Sequence, residues 1–149
     1  SLSKKLNANF FDIDKIIEIE QNMKINDIFA KKGEKFFRNI EEKTTLNALK
    51  SHNSIISLGG GSWLNEKIRK ETTINNNVSF WLNWDTRIIL KRIKKNNKRP
   101  LIKSLNDSEI VRLILKRSKI YAKANYEINC NKLTKDKIIK KILDIYERN

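Results

Sequence analysis

The sequence predicts an α/β protein with a parallel sheet and helices on both faces of that sheet. Short apolar segments alternate along the chain with longer segments in which apolar residues recur at helical spacing. Strands that alternate with helices are typical of βαβ units, which build parallel sheets. Three consecutive glycines also follow one short apolar segment, in the position where open α/β sheets bind their ligands.

Four strands are predicted, at residues 9–13, 55–58, 78–84 and 126–130. Helices are predicted at residues 1–6, 14–21, 24–50, 63–71, 86–95, 108–124 and 136–147. We expect the long third helix to break near Gly33. In the second helix we expect Asp14 to be the N-cap, with Ile16, Ile17 and Ile19 facing inward.

The length of the chain favours one domain. A chain of 149 residues can bury one sizeable core, so residues 1–149 are expected to form a single domain. The single cysteine, Cys130, excludes an internal disulfide and fits a cytoplasmic protein. No segment approaches the length of a transmembrane helix, so we expect no membrane partner.

The net charge of +15 raises nucleic acid as an alternative partner. Lysine, however, is spread over the whole chain, and asparagine and isoleucine are abundant beside it. An AT-rich coding sequence favours this composition, so much of the charge is expected to lie on solvated surfaces. We therefore expect no nucleic-acid function, although an anionic ligand such as a nucleotide remains compatible.

Gly59, Gly60 and Gly61 are three of the four glycines in the chain. Glycine lets backbone turn sharply or come close to a ligand. A turn needs one or two glycines, so three at the end of a strand indicate a ligand that docks against bare backbone. The alternative is an ordinary turn between a strand and a helix.

Two acidic residues, Asp12 and Asp14, lie where the first predicted strand ends. Residues two apart on a strand point to the same face, which places both carboxylates at one edge of the sheet. Such a pair could hold the water shell of a metal ion and a hydroxyl of the substrate. The alternative is that Asp14 only caps the helix.

Three arginines stand out in a chain that uses lysine almost everywhere: Arg38, Arg99 and Arg117. The guanidinium group grips carboxylate and phosphate with two parallel hydrogen bonds. Arg99 lies before the only proline, in a polar stretch between two helices that we interpret as a lid over residues 94–107. The alternatives are exposed arginines and, for Arg38, pairing with Glu41 or Glu42 on the same helix.

Five motifs in this order resemble one family. FFDID, GEKFFRNIEE, SLGGGSW, KRPL and RSKIY look like the motifs of shikimate kinase, and the resemblance runs from Ser1 to about Ile142. That family consists of P-loop kinases of the nucleoside-monophosphate-kinase type, with a five-stranded parallel sheet, a mobile lid and a shikimate pocket. The resemblance implies transfer of the γ-phosphate of ATP to the 3-hydroxyl of shikimate, with Mg²⁺.

The resemblance also implies roles for individual residues. Asp14 would bind the ring hydroxyls and orient the attacking one, and Asp12 would hold Mg²⁺ through water. The substrate carboxylate would be clamped by Arg38 and Arg117, next to the glycines. The nucleotide would be contacted by Arg99, which would neutralise charge during transfer, and by Arg92 near the adenine. The full set of implied site residues is Asp12, Asp14, Arg38, Gly59, Gly60, Gly61, Arg92, Arg99 and Arg117.

The chain departs from the family pattern at its start. The P-loop motif G-x-x-x-x-G-K-[ST] does not occur in it, and residues 1–6 match the helix that follows the P-loop. The central first strand would then be missing as well, and the first two strands would not pair with the last two. We therefore expect a fragment that is not a stable, active kinase by itself.

Other interpretations remain open. A related small-molecule kinase such as a gluconate kinase would share the sheet and differ in the acceptor. A non-catalytic remnant would keep the fold without binding ATP. A basic nucleic-acid-binding domain would gather its cations on one face beside exposed aromatic rings. For the kinase itself we expect a cytoplasmic monomer.

Overall fold

The structure, a computed structural model, describes residues 1–95 and 104–148. The chain divides into two compact units, Ser1–Asn77 and Val78–Asn149. Within each unit helices pack on parallel strands. The expected single domain over residues 1–149 stays a prediction.

The first unit contains two strands and four α-helices. They follow one another as α1 (Leu2–Leu6), β1 (Asn9–Asp12), α2 (Ile13–Glu20), α3 (Ile25–Leu49), β2 (Ser54–Ser57) and α4 (Glu66–Ile74), with a 3₁₀ helix at Ser62–Leu64. The strands β1 and β2 are parallel, with Asn9 opposite Ser54 and Asp12 opposite Ser57. Both chain segments that follow these strands therefore leave the sheet at the same edge.

The core of this unit lies between α2 and α3. Ile13, Ile17 and Ile28 are fully buried, and Phe37 and Ala48 are almost so. The rings of Phe29 and Phe37 pack at a centroid distance of 4.7 Å. Since burying one such isoleucine contributes roughly 1.5–3 kcal/mol, this cluster holds α3 firmly against α2.

The long helix α3 is kinked at Gly33, as predicted. Its φ and ψ angles are 81° and 168°, whereas the residues on both sides are helical. Of the four glycines, all of which are described, Gly33 alone has a positive φ. The kink separates a first segment of α3 from the longer second segment that carries Arg38.

The start of α2 differs from the prediction. Asp12, rather than Asp14, is the N-cap, because the helix begins at Ile13 and the Asp12 carboxylate accepts a hydrogen bond from the Lys15 amide at 3.2 Å. Asp14 thus lies in the first turn, with its carboxylate not used as a cap. Ile19 is 69 % exposed, so its predicted inward position is wrong. The buried face of α2 is set by Ile13 and Ile17, one turn apart.

The single helix predicted over residues 63–71 is instead two helices, the 3₁₀ helix and α4. The segment divides at Asn65, which ends the 3₁₀ helix and caps α4. The Asn65 side chain accepts hydrogen bonds from the Lys67 and Ile68 amides, at 2.9 and 3.4 Å. A capping asparagine in extended conformation starts a new helix instead of continuing the old one.

The second unit, in its described part, contains two strands and three helices. They are β3 (Phe80–Asn83), α5 (Thr86–Lys95), α6 (Asp107–Tyr121), β4 (Tyr126–Asn129) and α7 (Lys135–Tyr146). The strands β3 and β4 are parallel, with Phe80 opposite Tyr126. Ile110, Ile128, Cys130, Ile139 and Ile142 are buried in this unit.

All four described strands are paired in parallel, in two sheets of two strands each. Each strand lies within two residues of its predicted bounds. The predicted strand over residues 78–84 is shorter because Ser79 is held by Asn125: the Ser79 amide donates to the Asn125 side chain, and the Asn125 amide donates to the Ser79 hydroxyl. No helix in the described part of the chain is long and apolar enough to cross a membrane.

The predicted lid, residues 94–107, falls partly outside the described residues, which end at Lys95 and resume at Ser104. Its first and last residues are both described. The Lys94 Nζ atom lies 3.0 Å from the Asp107 carboxylate, so an ion pair joins α5 to the start of α6.

Candidate active site

Asp14 and the triple glycine meet at the edge where β1 and β2 end. A Cβ atom placed on Gly59 would lie 2.7 Å from Asp14 Oδ1 and 3.1 Å from Glu41 Oε1. The carboxylate therefore packs directly on the glycine backbone. Any other residue at position 59 would displace Asp14 or Glu41.

Arg38 lies against the same loop. A Cβ atom on Gly61 would overlap the Nη1 atom of Arg38 and would lie 2.7 Å from its Cζ. Gly61 has an ordinary φ of −103°, so glycine is not needed there for backbone conformation. What these two positions require is space, because charged side chains come within contact distance of the backbone.

The guanidinium group of Arg38 is held by two carboxylates of its own helix. Its Nη1 donates to Glu41 Oε2 at 2.7 Å, and its Nε donates to Glu34 Oε1 at 3.3 Å. The intrahelical pairing with Glu41 that the spacing allowed is thus present, whereas Glu42 bonds to Asn65 and Lys67 instead. A guanidinium group has five N–H donors, and these two bonds leave three for an external anion.

Glu41 was not among the predicted site residues. Its side chain is only 3 % exposed although it carries a carboxylate. Each of its oxygens has one partner: Oε2 accepts from Arg38, and Oε1 accepts from the hydroxyl of Ser62 at 2.7 Å. The sequence does hold a signal, since Glu41 lies on the stripe of α3 that also carries Phe37 and Thr45, both buried.

Burial raises the pKa of Asp14 above its ordinary value of 3.8, and the nearby Glu41, Asp12 and Glu18 carboxylates raise it further. Arg38 opposes this shift by favouring the charged form. A carboxylate in such an environment is a better hydrogen-bond acceptor for a hydroxyl group than an exposed one, because its basicity is higher.

Asp12 combines two possible uses. One of its oxygens caps α2, and a carboxylate has further lone pairs for a water molecule or a cation. Among residues 1–95 and 104–148 no group of three or more acidic, histidine or cysteine side chains could hold a metal ion.

Two further predicted residues lie in the second unit. Arg117 is on α6, and its Nε atom is buried without a hydrogen-bond partner among the described residues. A buried donor without an acceptor costs about 1–3 kcal/mol, which favours a position that an anionic ligand completes. Arg92 is on α5, and its guanidinium group lies 4.5 Å from the ring centroid of Trp84. Arg99 lies outside the described residues.

A comparison with protein-family models matches residues 1–147 to the family described as shikimate kinase. Among curated proteins, the shikimate kinase of Sulfurihydrogenibium sp. is 37 % identical over 147 residues, which cover 99 % of this chain and 87 % of that protein. This chain belongs to the shikimate kinase family. The five sequence motifs therefore identified the family correctly.

Solved shikimate kinases have the same fold. The enzyme from Aquifex aeolicus is 32 % identical and superposes with a TM-score of 0.86, covering 98 % of this chain and 85 % of its own. The enzyme from Acinetobacter baumannii, solved in complex with shikimate, is 27 % identical with a TM-score of 0.91, covering 99 % and 83 %. The predicted fold class, an α/β P-loop kinase fold with parallel strands, is confirmed.

Membership of the shikimate kinase family settles the class of chemistry. The family transfers phosphate from ATP to an alcohol, so the predicted phosphotransferase class is confirmed. Family membership does not assign individual roles to Asp14, Arg38 and the glycines. These roles are proposed below from the geometry of this chain.

Proposed function

We propose that this protein phosphorylates the 3-hydroxyl of shikimate with ATP and Mg²⁺. The observation that carries the proposal is the cluster of Asp14, Arg38 and Glu41 packed on Gly59 and Gly61. It places a fixed guanidinium group and a basic carboxylate against one stretch of side-chain-free backbone. A small ring with a carboxylate on one side and hydroxyl groups on the other matches this arrangement.

Arg38 binds the substrate carboxylate in this proposal. Since Glu41 and Glu34 fix two of its donors, the guanidinium group is oriented before the substrate arrives. Arg117 supplies a second guanidinium group for the same carboxylate, and its unpartnered Nε supports that role. Pre-positioned charge contributes to catalysis because no side chain has to be reordered during the reaction.

Asp14 binds the ring hydroxyls and orients the attacking one. Its raised pKa supports this role, because a more basic carboxylate accepts a hydroxyl hydrogen more strongly. The backbone of Gly59, Gly60 and Gly61 forms the surface on which the ring rests. Phosphoryl transfer depends mainly on positioning and charge neutralisation. In this cluster Asp14 would position the hydroxyl group, and Arg38 would neutralise the substrate carboxylate.

ATP supplies the phosphoryl group, and Mg²⁺ would neutralise phosphate charge beside Asp12. The free lone pairs of the Asp12 carboxylate suit a water-mediated contact with Mg²⁺. Arg92, which stacks on Trp84, lies near the adenine in this proposal. Arg99 contacts the phosphates from the lid. We further propose that the protein acts as a cytoplasmic monomer.

The test is a turnover assay with ATP and Mg²⁺ on purified protein in which a P-loop segment precedes Ser1, because residues 1–149 are expected to be inactive by themselves. Shikimate and gluconate are offered separately, and the products are identified by mass spectrometry. All kinetic tests below use this form of the protein. We expect shikimate 3-phosphate and no phosphorylated gluconate. Phosphorylation of gluconate alone would identify a related kinase. No product from either acceptor would contradict the proposal.

A further inference from the structure

The buried carboxylate of Glu41 connects two parts of the first unit. One oxygen holds Arg38 and the other holds Ser62, both at 2.7 Å. A buried charge is costly unless its lone pairs are used, so each of these two bonds matters for where the carboxylate lies. Glu41 is therefore placed as much by Ser62 as by Arg38.

Ser62 is a rigid partner for Glu41. It is 0 % exposed and begins the 3₁₀ helix that follows the triple glycine. Its amide donates to the Gly59 carbonyl at 3.1 Å, while its hydroxyl donates to Glu41. Ser62 therefore connects the glycine loop to helix α3, which carries Arg38.

We propose that Ser62 is a positioning residue for substrate binding: its hydroxyl fixes Glu41 so that Glu41 engages Arg38 through a single oxygen and leaves the remaining guanidinium donors for the substrate carboxylate. This inference rests on the proposed function. Ser62 itself does not touch the substrate in this proposal. It acts through Glu41 and then Arg38.

Loss of the Ser62 hydroxyl would change the hydrogen bonds of the Glu41 carboxylate. Without Ser62, Glu41 Oε1 would be left as a buried acceptor with no partner. The other hydrogen-bond donor that the structure shows at this carboxylate is Arg38, whose Nη1 bonds to Oε2. A carboxylate that turns to bind Arg38 with both oxygens consumes a second guanidinium donor, which the substrate carboxylate then cannot use.

Crowding at Gly61 restricts the alternative in which Arg38 simply moves aside. The Cζ atom of Arg38 would lie only 2.7 Å from a Cβ atom at position 61, so the guanidinium group is already in contact with the glycine loop. The loop is in turn held by Ser62 through the Gly59 carbonyl. Small changes at Ser62 are therefore transmitted to the substrate-binding donors of Arg38.

The test is the steady-state kinetics of Ser62→Ala with shikimate. We expect the KM for shikimate to rise about fivefold to tenfold, since the lost bond is to a charged group, while kcat stays within about twofold of the original protein. Thr72→Val is the matched control, because Thr72 is also buried and its hydroxyl donates to the Ile68 carbonyl, away from the site. It should leave both constants unchanged.

The methyl ester of shikimate separates positioning from a general structural effect. The ester lacks the carboxylate that Arg38 binds, so its KM should be high and equal in the original protein and in Ser62→Ala. A cycle with Glu41→Gln gives a second check: the effect of Ser62→Ala on KM should disappear in that background. Ser62→Cys, which keeps the size but donates weakly, should fall between serine and alanine.

Two outcomes would overturn the inference while leaving the proposed function intact. One is a KM for shikimate that does not differ between Ser62→Ala and Thr72→Val. The other is an equal change for shikimate and its ester, or a parallel loss of kcat, which would mean that Ser62 only supports the fold. If the original protein does not phosphorylate shikimate at all, the proposed function fails and this inference fails with it.

Discussion

Asp14 is the residue at which stability and activity oppose each other. Its carboxylate is largely buried and lies near Glu41, Asp12 and Glu18, and burial followed by these charges raises its pKa. A carboxyl group with a raised pKa in the folded state binds its proton more tightly there than in the unfolded chain. As pH rises through the window between its ordinary value and the raised one, the contribution of Asp14 to stability falls.

The substitution Asp14→Asn tests this opposition. At neutral pH we expect a small rise in the free energy of unfolding, because the buried negative charge is removed. We also expect kcat to fall about a hundredfold or more, because the neutral amide oxygen is a far less basic acceptor for the hydroxyl than the carboxylate. Denaturant unfolding at pH 7 and at pH 4 measures the first effect, which should shrink at the lower pH. An unchanged kcat would exclude Asp14 from the reaction.

Arg38 is expected to need the shape of a guanidinium group and not only its charge. Arg38→Lys keeps one positive charge but loses the planar fork that binds Glu41, Glu34 and a carboxylate at the same time. We expect the KM for shikimate to rise about tenfold to a hundredfold, as measured by steady-state kinetics. Arg112→Lys, at an exposed position on α6, is the control and should have no effect.

At the level of elements, the kink at Gly33 is the most demanding conformation of α3. Angles of φ 81° and ψ 168° are open essentially to glycine alone, although a Cβ there would meet no atom within 4 Å. Gly33→Ala should therefore lower the free energy of unfolding by about 1–3 kcal/mol through backbone strain alone.

Chemical denaturation would measure that loss. Lys35→Ala, two residues further along the exposed side of the same helix, should change the stability by less than about 0.5 kcal/mol. A Gly33→Ala variant as stable as Lys35→Ala would mean that the kink is not required for the fold.

The elements show what patterns in the sequence can and cannot predict. Hydrophobic spacing placed the strands to within two residues, and the glycine at position 33 predicted the break in α3. It failed where polar side chains decide a boundary, as at Asp12 and Asn65, whose caps depend on the backbone geometry of a few residues. The family motifs pointed to Asp14, Arg38 and the glycines but did not single out Glu41 and Ser62. Helical spacing places Glu41 on the buried face of α3 with Phe37 and Thr45, whereas the hydrogen bonds that hold its carboxylate there are seen only in the structure.

The whole molecule carries a large excess of positive charge. With a net charge of +15 and two anionic substrates, the protein should attract shikimate and ATP over long distances. We expect the KM values of both substrates to rise several-fold between about 20 mM and 300 mM salt, where the Debye length shortens, with little change in kcat. Assays in NaCl and in KCl should agree, and KM values independent of salt would contradict this expectation.

Cys130 gives the second unit a natural reporter. It is the single cysteine of the chain, it is 1 % exposed, and burial raises the pKa of its thiol. A thiol reagent can therefore react only when the packing around β4 and α7 opens transiently. The rate at which Cys130 is alkylated in the native protein would measure how often this part of the molecule opens, without any engineered label. A lower rate in the presence of shikimate or ATP would show that substrate binding makes this opening less frequent.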